Sequence, residues 1–513
     1  MSIYLFEQWP SVDQLALRLG DDNQAEMVIV ADDWPTDQRA CTPAGEKILL
    51  QWQQAKSYWQ QQPVFSYPIN QGKMLLIQPE YYPQWRLHNV GVDQPISSSC
   101  LDVKPWLMQP DPFAVSSVVV IGAGIAGAAT AFALAQRNIA VTVVEQAEIA
   151  NAGSGNHQGL LYAKISAHST LQTELLLAGY GYSLALLDQT ASPKLDCGVL
   201  HINFNAAEER RNQQISAKWP ESQLFQSVSS AQAAEIAGIE MSKGGLWWPH
   251  GVTANPRSVV EKLLSHPFIT LMTQTQVTRL RHDGQFWQIQ CQKKGSPCVL
   301  TASHIVICAG AQSNLLDPIA GWPMQMIGGQ TTTATPGDYA GKLRCALSGN
   351  SYITPAWQNK MCFGATFHPH CHDAVLTQED ENINWQELFE LAPKLALDLA
   401  PNDVPQGHAA VRCDTYDHLP VVGAIGNGGL MKQVYEKLKY DKNFPVNTAC
   451  PWLPGAFVNT AHGSRGLATA PICAEAVASA ILGLPSPFSA RLQQALHPNR
   501  LLIRTLTHHR HFN

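Results

Sequence analysis

Along the 513-residue chain, short β-branched runs take turns with longer Ala-rich or amphipathic stretches. Ser117–Ile121 is a β-branched run of strand type, and an apolar helix follows to about Gln136. Ile139–Val144 is a second such run and ends on an acid, Glu145. That order predicts a βαβ unit with buried, parallel strands. Leu171–Leu187 and Arg257–Leu264 read as helices, the latter after the turn-rich stretch Gly244–Pro256. Phe268–Val277 and Trp287–Gln292 read as strands, with a hairpin turn at Asp283-Gly284. His304–Ala311 is another buried strand ending in a glycine turn, so the first sheet is expected to resume far from where it began. From Met324 to Ala410 the strand-like segments, among them Gly329–Thr333 and Lys360–Phe367, predict a mainly antiparallel second domain. Phe457–Gly466 reads as a late strand and glycine loop, followed by a helix over Pro471–Leu482.

Residues 1–112 read as a separate module. Met27–Val30 and Met74–Gln78 are strand-like, Glu46–Gln60 is helix-like, and Trp9, Trp34, Trp52, Trp59, Trp85 and Trp106 fall here. Asp102–Pro112, with Pro105, Pro110 and Pro112, is the expected linker. The module shows no glycine-rich nucleotide loop and no metal or nucleophile constellation. At the other end, residues 491–513 carry Arg491, Arg500, Arg504 and Arg510 with four histidines and no acid. Such a segment is either a solvated tail or one that contacts a polyanion.

Length implies two or three domains, and 45% hydrophobic residues with 14% charged suit a large core. The net charge of −6 provides no global basic field for nucleic acid. Twelve cysteines are scattered without a C-x-x-C pair, and the start lacks a basic n-region. Reduced thiols and a cytoplasmic location are expected. No G-x-S-x-G elbow supports a serine hydrolase. His368, His370 and His372 lie close together, yet without a distant partner they read as a histidine-rich loop and not as a metal site.

The candidate chemistry begins at Gly122, Gly124 and Gly127, a G-x-G-x-x-G placed between strand and helix. Gly122 allows the tight turn, Gly124 lets the backbone approach a pyrophosphate, and Gly127 lets helix and strand pack closely. The helix N-terminus offers N–H groups to phosphate. Glu145 is placed to accept from a ribose hydroxyl. Val118–Ala135 is uncharged and long enough to count as a membrane-span candidate, but the strand–turn–helix context argues for a dinucleotide site. The motif does not distinguish FAD from NAD. Asn151–Leu161, dense in small and polar residues, reads as a ligand-wrapping loop that includes Ser154, Gly155, Asn156, Gln158 and Gly159.

With the stretches SGNHQGLLYAKIS from Ser154, RCDTYDHLPVVG from Arg412, HGSRGLATAPICAE from His462 and HPNRLL from His497, the chain resembles the glycine oxidase and D-amino-acid oxidase superfamily. More closely it resembles the FAD-dependent oxidoreductase part of the bifunctional tRNA 5-methylaminomethyl-2-thiouridine biosynthesis proteins. The resemblance covers about residues 115–505. It implies an α/β fold: a Rossmann-like FAD-binding domain interleaved with an antiparallel-sheet substrate domain, beside the small N-terminal α/β module. The oxidoreductase is expected over 113–490, with FAD-binding pieces at about 113–195, 250–320 and 410–490 and the substrate domain at about 196–249 and 321–409.

The resemblance also implies FAD as cofactor, tRNA as partner, oxygen as electron acceptor, and no membrane or metal. The implied reaction oxidises the carboxymethylaminomethyl arm of the wobble uridine. Hydride leaves for the flavin, and imine hydrolysis releases glyoxylate to leave 5-aminomethyluridine. Arg412 is the implied carboxylate-binding residue, Arg465 its counterpart in the late glycine loop, and Tyr352 a pocket-lining candidate. His462, Gly463, Ser464 and Gly466 are expected to bring backbone N–H groups to the flavin's pyrimidine end. The N-terminal 112 residues are too few for the family's methyltransferase, and no methyltransferase activity is expected. The alternatives are an oxidase of a free small amino acid such as glycine or sarcosine, or a tRNA-binding flavoprotein without this activity.

Overall fold

The computed structural model describes residues 104–220, 222–400 and 404–508, and before them 3–6, 9–10, 14–17, 26–31, 48–49, 51–52, 55–56, 58, 62, 64–69 and 72–80. Its central sheet has six strands in the order Ile269–Met272, Val141–Val144, Val118–Ile121, His304–Ile307, Trp452–Thr460, Val421–Gly426. Neighbours are parallel except the last pair. The sheet therefore does resume far from its start, at Ile269 and His304, and again at Val421 and Trp452. Its inner strands Val118–Ile121 and His304–Ile307 are buried along their whole length because both faces are covered. Val118 and Val120 join one core with the helices Ile125–Ala135 and Gly466–Leu482. Val119 and Ile121 join another with Leu280, Trp287 and Ile289 of the three-stranded antiparallel sheet spanning Thr275–Ala302.

Every residue of the helix Ile125–Ala135 is buried, which explains its membrane-like hydropathy. Among the described residues no helix is long and apolar enough to cross a membrane. The helix Gly466–Leu482 starts at the glycine loop itself, so Pro471 lies inside it and does not open it.

The second domain is built on a nine-stranded sheet that includes Val199–Ile202, Ala346–Ser348, Tyr352–Ile353, Met361–Gly364 and the long strand Gln325–Ala334. It is mainly antiparallel, although Ala346–Ser348 runs parallel to Val199–Ile202. Gly407–Asp414 pairs with Gln325–Ala334 over eight residues, so the expected boundary near 410 falls inside a strand of this sheet.

The N-terminal module forms a four-stranded sheet in the order Ile3–Phe6, Glu26–Val30, Gly72–Ile77, Val64–Ile69. Glu46–Gln60 is helical where it is described; Trp34, Trp59 and Trp85 lie outside the described residues. The module shares one continuous core with the dinucleotide domain, through residues such as Trp52, Tyr58, Phe65 and Tyr180. At the seam Lys73 Nζ lies 2.8 Å from both Glu26 Oε2 and Glu475 Oε1. Arg137 Nη2 lies 2.8 Å from Glu26 Oε1 and 2.7 Å from Glu475 Oε1.

Two expectations are corrected here. The described part of the linker is docked: Trp106 packs edge-on to Tyr435 at 5.2 Å, and its carbonyl accepts from Asn499 Nδ2 at 3.1 Å. The basic C-terminal segment forms the helices Ala490–Leu496 and Asn499–Thr507, with Leu501, Leu502 and Leu506 buried. Its described arginines are engaged as well: Arg491 Nε donates to Glu174 Oε2 at 2.7 Å, Arg500 Nε to Asp417 Oδ2 at 3.1 Å, and Arg504 stacks 3.6 Å over Tyr416, while Arg510 lies outside the described residues. Residues 499–507 are thus part of the core and not a tail.

Candidate active site

A cavity of about 1340 Å³ opens between the two large sheets. This exceeds the roughly 300–1,000 Å³ of ordinary small-ligand pockets and leaves room for a dinucleotide with a substrate. The N-terminal residues of two buried helices, Gly124–Ala126 and Gly466–Ala468, form part of its wall. Both helices therefore present the positive ends of their dipoles to it.

The glycine loop fits a pyrophosphate. Gly122 has φ +105°, and a Cβ there would fall 2.6 Å from the Cys308 carbonyl oxygen. At Gly124 a Cβ would fall 3.2 Å from Ser154 Oγ, filling the cradle. A Cβ on Gly127 would run into the Gly122 carbonyl, so this glycine serves helix packing and does not line the cavity. Glu145 lines the cavity and also braces the loop: Oε2 accepts from Ala123 N at 2.8 Å and Oε1 from Ala147 N at 2.9 Å. Ser154 Oγ accepts from Ile125 N at 3.0 Å and caps the helix that follows the glycines.

The same cavity is lined by Arg412, Arg465 and Lys164. Arg412 Nη2 donates to Thr366 O at 3.2 Å, and Arg465 Nη1 to Lys164 O at 3.3 Å. Among the described residues none of the three is ion-paired with a carboxylate. Burial lowers the pKa of all three, the signature of cations short of countercharge. Tyr352 lines the cavity as well, its Oη donating to Gln158 O at 3.3 Å; burial raises its pKa and keeps it a neutral phenol. His462 is likewise held neutral, at about 3, by burial, between Thr469 Oγ1 and Asn459 Oδ1.

The late glycine loop brings Gly463, Ser464 and Gly466 to the cavity. The Gly463 N–H, however, is used internally, donating to Cys413 O at 2.8 Å. Asn156 and Gly159 also line the cavity, whereas Gly155 and Gln158 do not. Gly155 packs against the His408 ring. Gln158 is buried in a structural set, donating to Pro355 O at 3.1 Å and accepting from Thr354 Oγ1 at 2.7 Å. Sequence reasoning missed Tyr162, Lys164 and Ser348, all on the cavity wall. Leu160, Tyr162 and Lys164 recur every second residue, the alternation that places side chains on one face. His368 is engaged elsewhere, its Nε2 lying 2.6 Å from Asp380 Oδ1, and no group of three or more potential metal ligands occurs among the described residues.

A parallel sheet with a glycine turn between its first strand and helix, and an acid closing the second strand, defines a dinucleotide-binding enzyme fold. Residues 117–480 match the DAO family, described as FAD dependent oxidoreductase, and the chain belongs to that family. The cradle at Gly122 and Gly124 and the carboxylate of Glu145 would hold the pyrophosphate and ribose of FAD. A Chromobacterium violaceum protein named "tRNA 5-methylaminomethyl-2-thiouridine biosynthesis bifunctional protein MnmC" is 36% identical over 78% of this chain. A Pseudomonas putida protein of the same name is 34% identical over 82%. The chain spans 62% and 65% of the length of these two relatives. In fold it is similar to glycine oxidase from Geobacillus kaustophilus, with a TM-score of 0.59 at 19% identity, covering 72% of this chain and 95% of that one. It is also similar to L-proline dehydrogenase from P. horikoshii, with a TM-score of 0.60 at 18% identity, covering 76% and 98%.

Proposed function

We propose that the protein oxidises the carboxymethylaminomethyl arm of the wobble uridine of tRNA, removing the carboxymethyl group to leave 5-aminomethyl-(2-thio)uridine. The observation that carries this reading is that cations without a carboxylate partner line the same cavity as a dinucleotide cradle. The names of the relatives supply the tRNA context.

When bound, FAD supplies the two-electron acceptor that converts the secondary amine's C–N bond to an imine. The chain's own residues bind and orient. Arg412 spends one N–H on Thr366 O and keeps the rest of its fork for the substrate carboxylate. Arg465 and Lys164 extend the positive wall, and Tyr352 presents a neutral hydroxyl. Water adds to the imine carbon and glyoxylate departs, leaving the primary amine on the uridine. Oxygen is the proposed acceptor that returns the cofactor to its oxidised state.

The direct test incubates FAD-loaded protein with tRNA bearing the carboxymethylaminomethyl group and analyses the nucleosides. Conversion to the aminomethyl form with release of glyoxylate is expected. Rapid turnover of free glycine or sarcosine with untouched tRNA would overturn the reading.

A further inference from the structure

One row of residues crosses the second sheet from the cavity toward the surface. In the strand register His201 lies beside Ser348, and Ser348 beside Tyr352. Cross-strand neighbours share a face, so His201 is aligned with the cavity-lining Ser348 and Tyr352 while itself buried. Tyr162, from the SGNHQGLLYAKIS stretch, reaches this row: its Oη lies 2.7 Å from Ser348 Oγ and 3.5 Å from His201 Nδ1. Ser348 Oγ lies 3.4 Å from His201 Nδ1. Beyond the imidazole, Nε2 meets Glu208 Oε1, which Arg211 Nη2 also contacts. The Glu208 side chain is 13% exposed and Arg211 25%, so the row ends at solvent.

We infer that Tyr162, Ser348, His201 and Glu208 form a proton exit from the cavity, which carries away the proton the substrate amine must lose before its C–H bond can yield hydride. This rests on the proposed amine oxidation. Tyr162 Oη takes up a proton from the cavity side as its own passes to Ser348 Oγ. The Ser348 proton passes to His201 Nδ1, and the Nε2 proton to Glu208 Oε1. Each O–H or N–H bond broken is matched by one formed, no electrons are transferred, and one positive charge moves from cavity to surface. Reorientation of the hydroxyls and tautomer exchange in His201 reset the row.

The charged and titratable groups facing His201 are Tyr162 on the cavity side, Glu208 and Arg211 beyond it, and Lys164 alongside. Burial, with Lys164 and Arg211, outweighs Glu208 and keeps the imidazole neutral, as a relay requires. Glu208 sits below its ordinary value: burial works against this, but His201 and Arg211 prevail, so the terminal acceptor is a carboxylate.

The test follows anaerobic flavin reduction in FAD-loaded protein by an anticodon stem-loop carrying carboxymethylaminomethyl-uridine, across neutral to alkaline pH. Ser348→Ala and Tyr162→Phe are expected to slow reduction about 100-fold near pH 7 with KM unchanged. The loss should vanish at high pH, where the amine arrives already deprotonated. In flavin-free protein carrying 15N-histidine, His201 should show a bare Nδ1 and a protonated Nε2, and Ser348→Ala should shift the Nδ1 resonance. Equal loss at every pH, wild-type rates, or an Nδ1-protonated His201 would overturn the exit and leave the proposed function standing. A wild-type flavin that the stem-loop does not reduce would overturn the proposed function, and the exit with it.

Discussion

At the seam between the N-terminal sheet and the dinucleotide domain, Glu26, Lys73, Arg137 and Glu475 bury two positive and two negative charges against one another. In the cavity wall, Lys164, Arg412 and Arg465 face inward with no carboxylate bonded to any of them. Both sets are costly to desolvate. The first recovers that cost within the fold, so it is structure. The second leaves it outstanding within the fold, which is why it is proposed as an anion site. Net charge of a buried cluster, more than the presence of arginine, separates the two roles.

Breaking the balanced set should produce the largest effect. Glu475→Gln leaves Lys73 and Arg137 with only Glu26 and should cost about 3–5 kcal/mol of folding stability, read by denaturant unfolding. Flavin content per folded molecule should hold. Arg412→Ala should do the reverse: kcat/KM for the carboxylate substrate falls about 100-fold, equivalent to ~2.7 kcal/mol, while the unfolding midpoint does not drop. A destabilised Arg412→Ala, or a Glu475→Gln that unfolds like wild type, would erase the distinction.

Acid sharpens the same contrast. Burial alone would raise the pKa of Glu475, but Arg137 and Lys73 outweigh it and hold the carboxyl down to about 2. A carboxylate held below its unfolded value of roughly 4.3 adds stability that is complete above that pH and fades as pH falls toward the folded value. Wild type should therefore lose stability steadily between about pH 4 and 2, and the acid limb of Glu475→Gln should be flatter. The smallest effect concerns the unpaired wall. Acetate at about five times its Kd should raise stability by roughly 1 kcal/mol, and Arg412→Ala should abolish the gain, as read by thermal shift at constant ionic strength.

How far these features were legible depended on how local their causes are. The G-x-G-x-x-G turn was readable because the constraint at Gly122 lies within a few residues and only glycine meets it. Arg412 and Arg465 were readable through the motifs around them. Gly155 and Gln158 do not line the cavity while their neighbours Ser154, Asn156 and Gly159 do, because a loop rich in small polar residues does not disclose which side each residue turns to. The C-terminal segment looked like a free basic tail because its countercharges, Glu174 and Asp417, lie 317 and 83 residues earlier. Its buried Leu501, Leu502 and Leu506 were the signal of a docked amphipathic helix. The exit row was hidden for a similar reason, since His201 and Ser348 meet only through sheet register across 147 residues.

The seam also sets a clock for biogenesis. Lys73 and Glu475 are 402 residues apart, so a ribosome adding roughly 5–20 residues per second needs about 20–80 s between making the first and the second. During that interval Lys73 and, once it is made, Arg137 have only Glu26 as a carboxylate partner, and the central sheet still lacks Trp452–Thr460. The growing chain thus keeps an incomplete sheet and an unbalanced charge cluster until its last hundred residues emerge. Slowing translation late in the message should raise aggregation more than slowing it early.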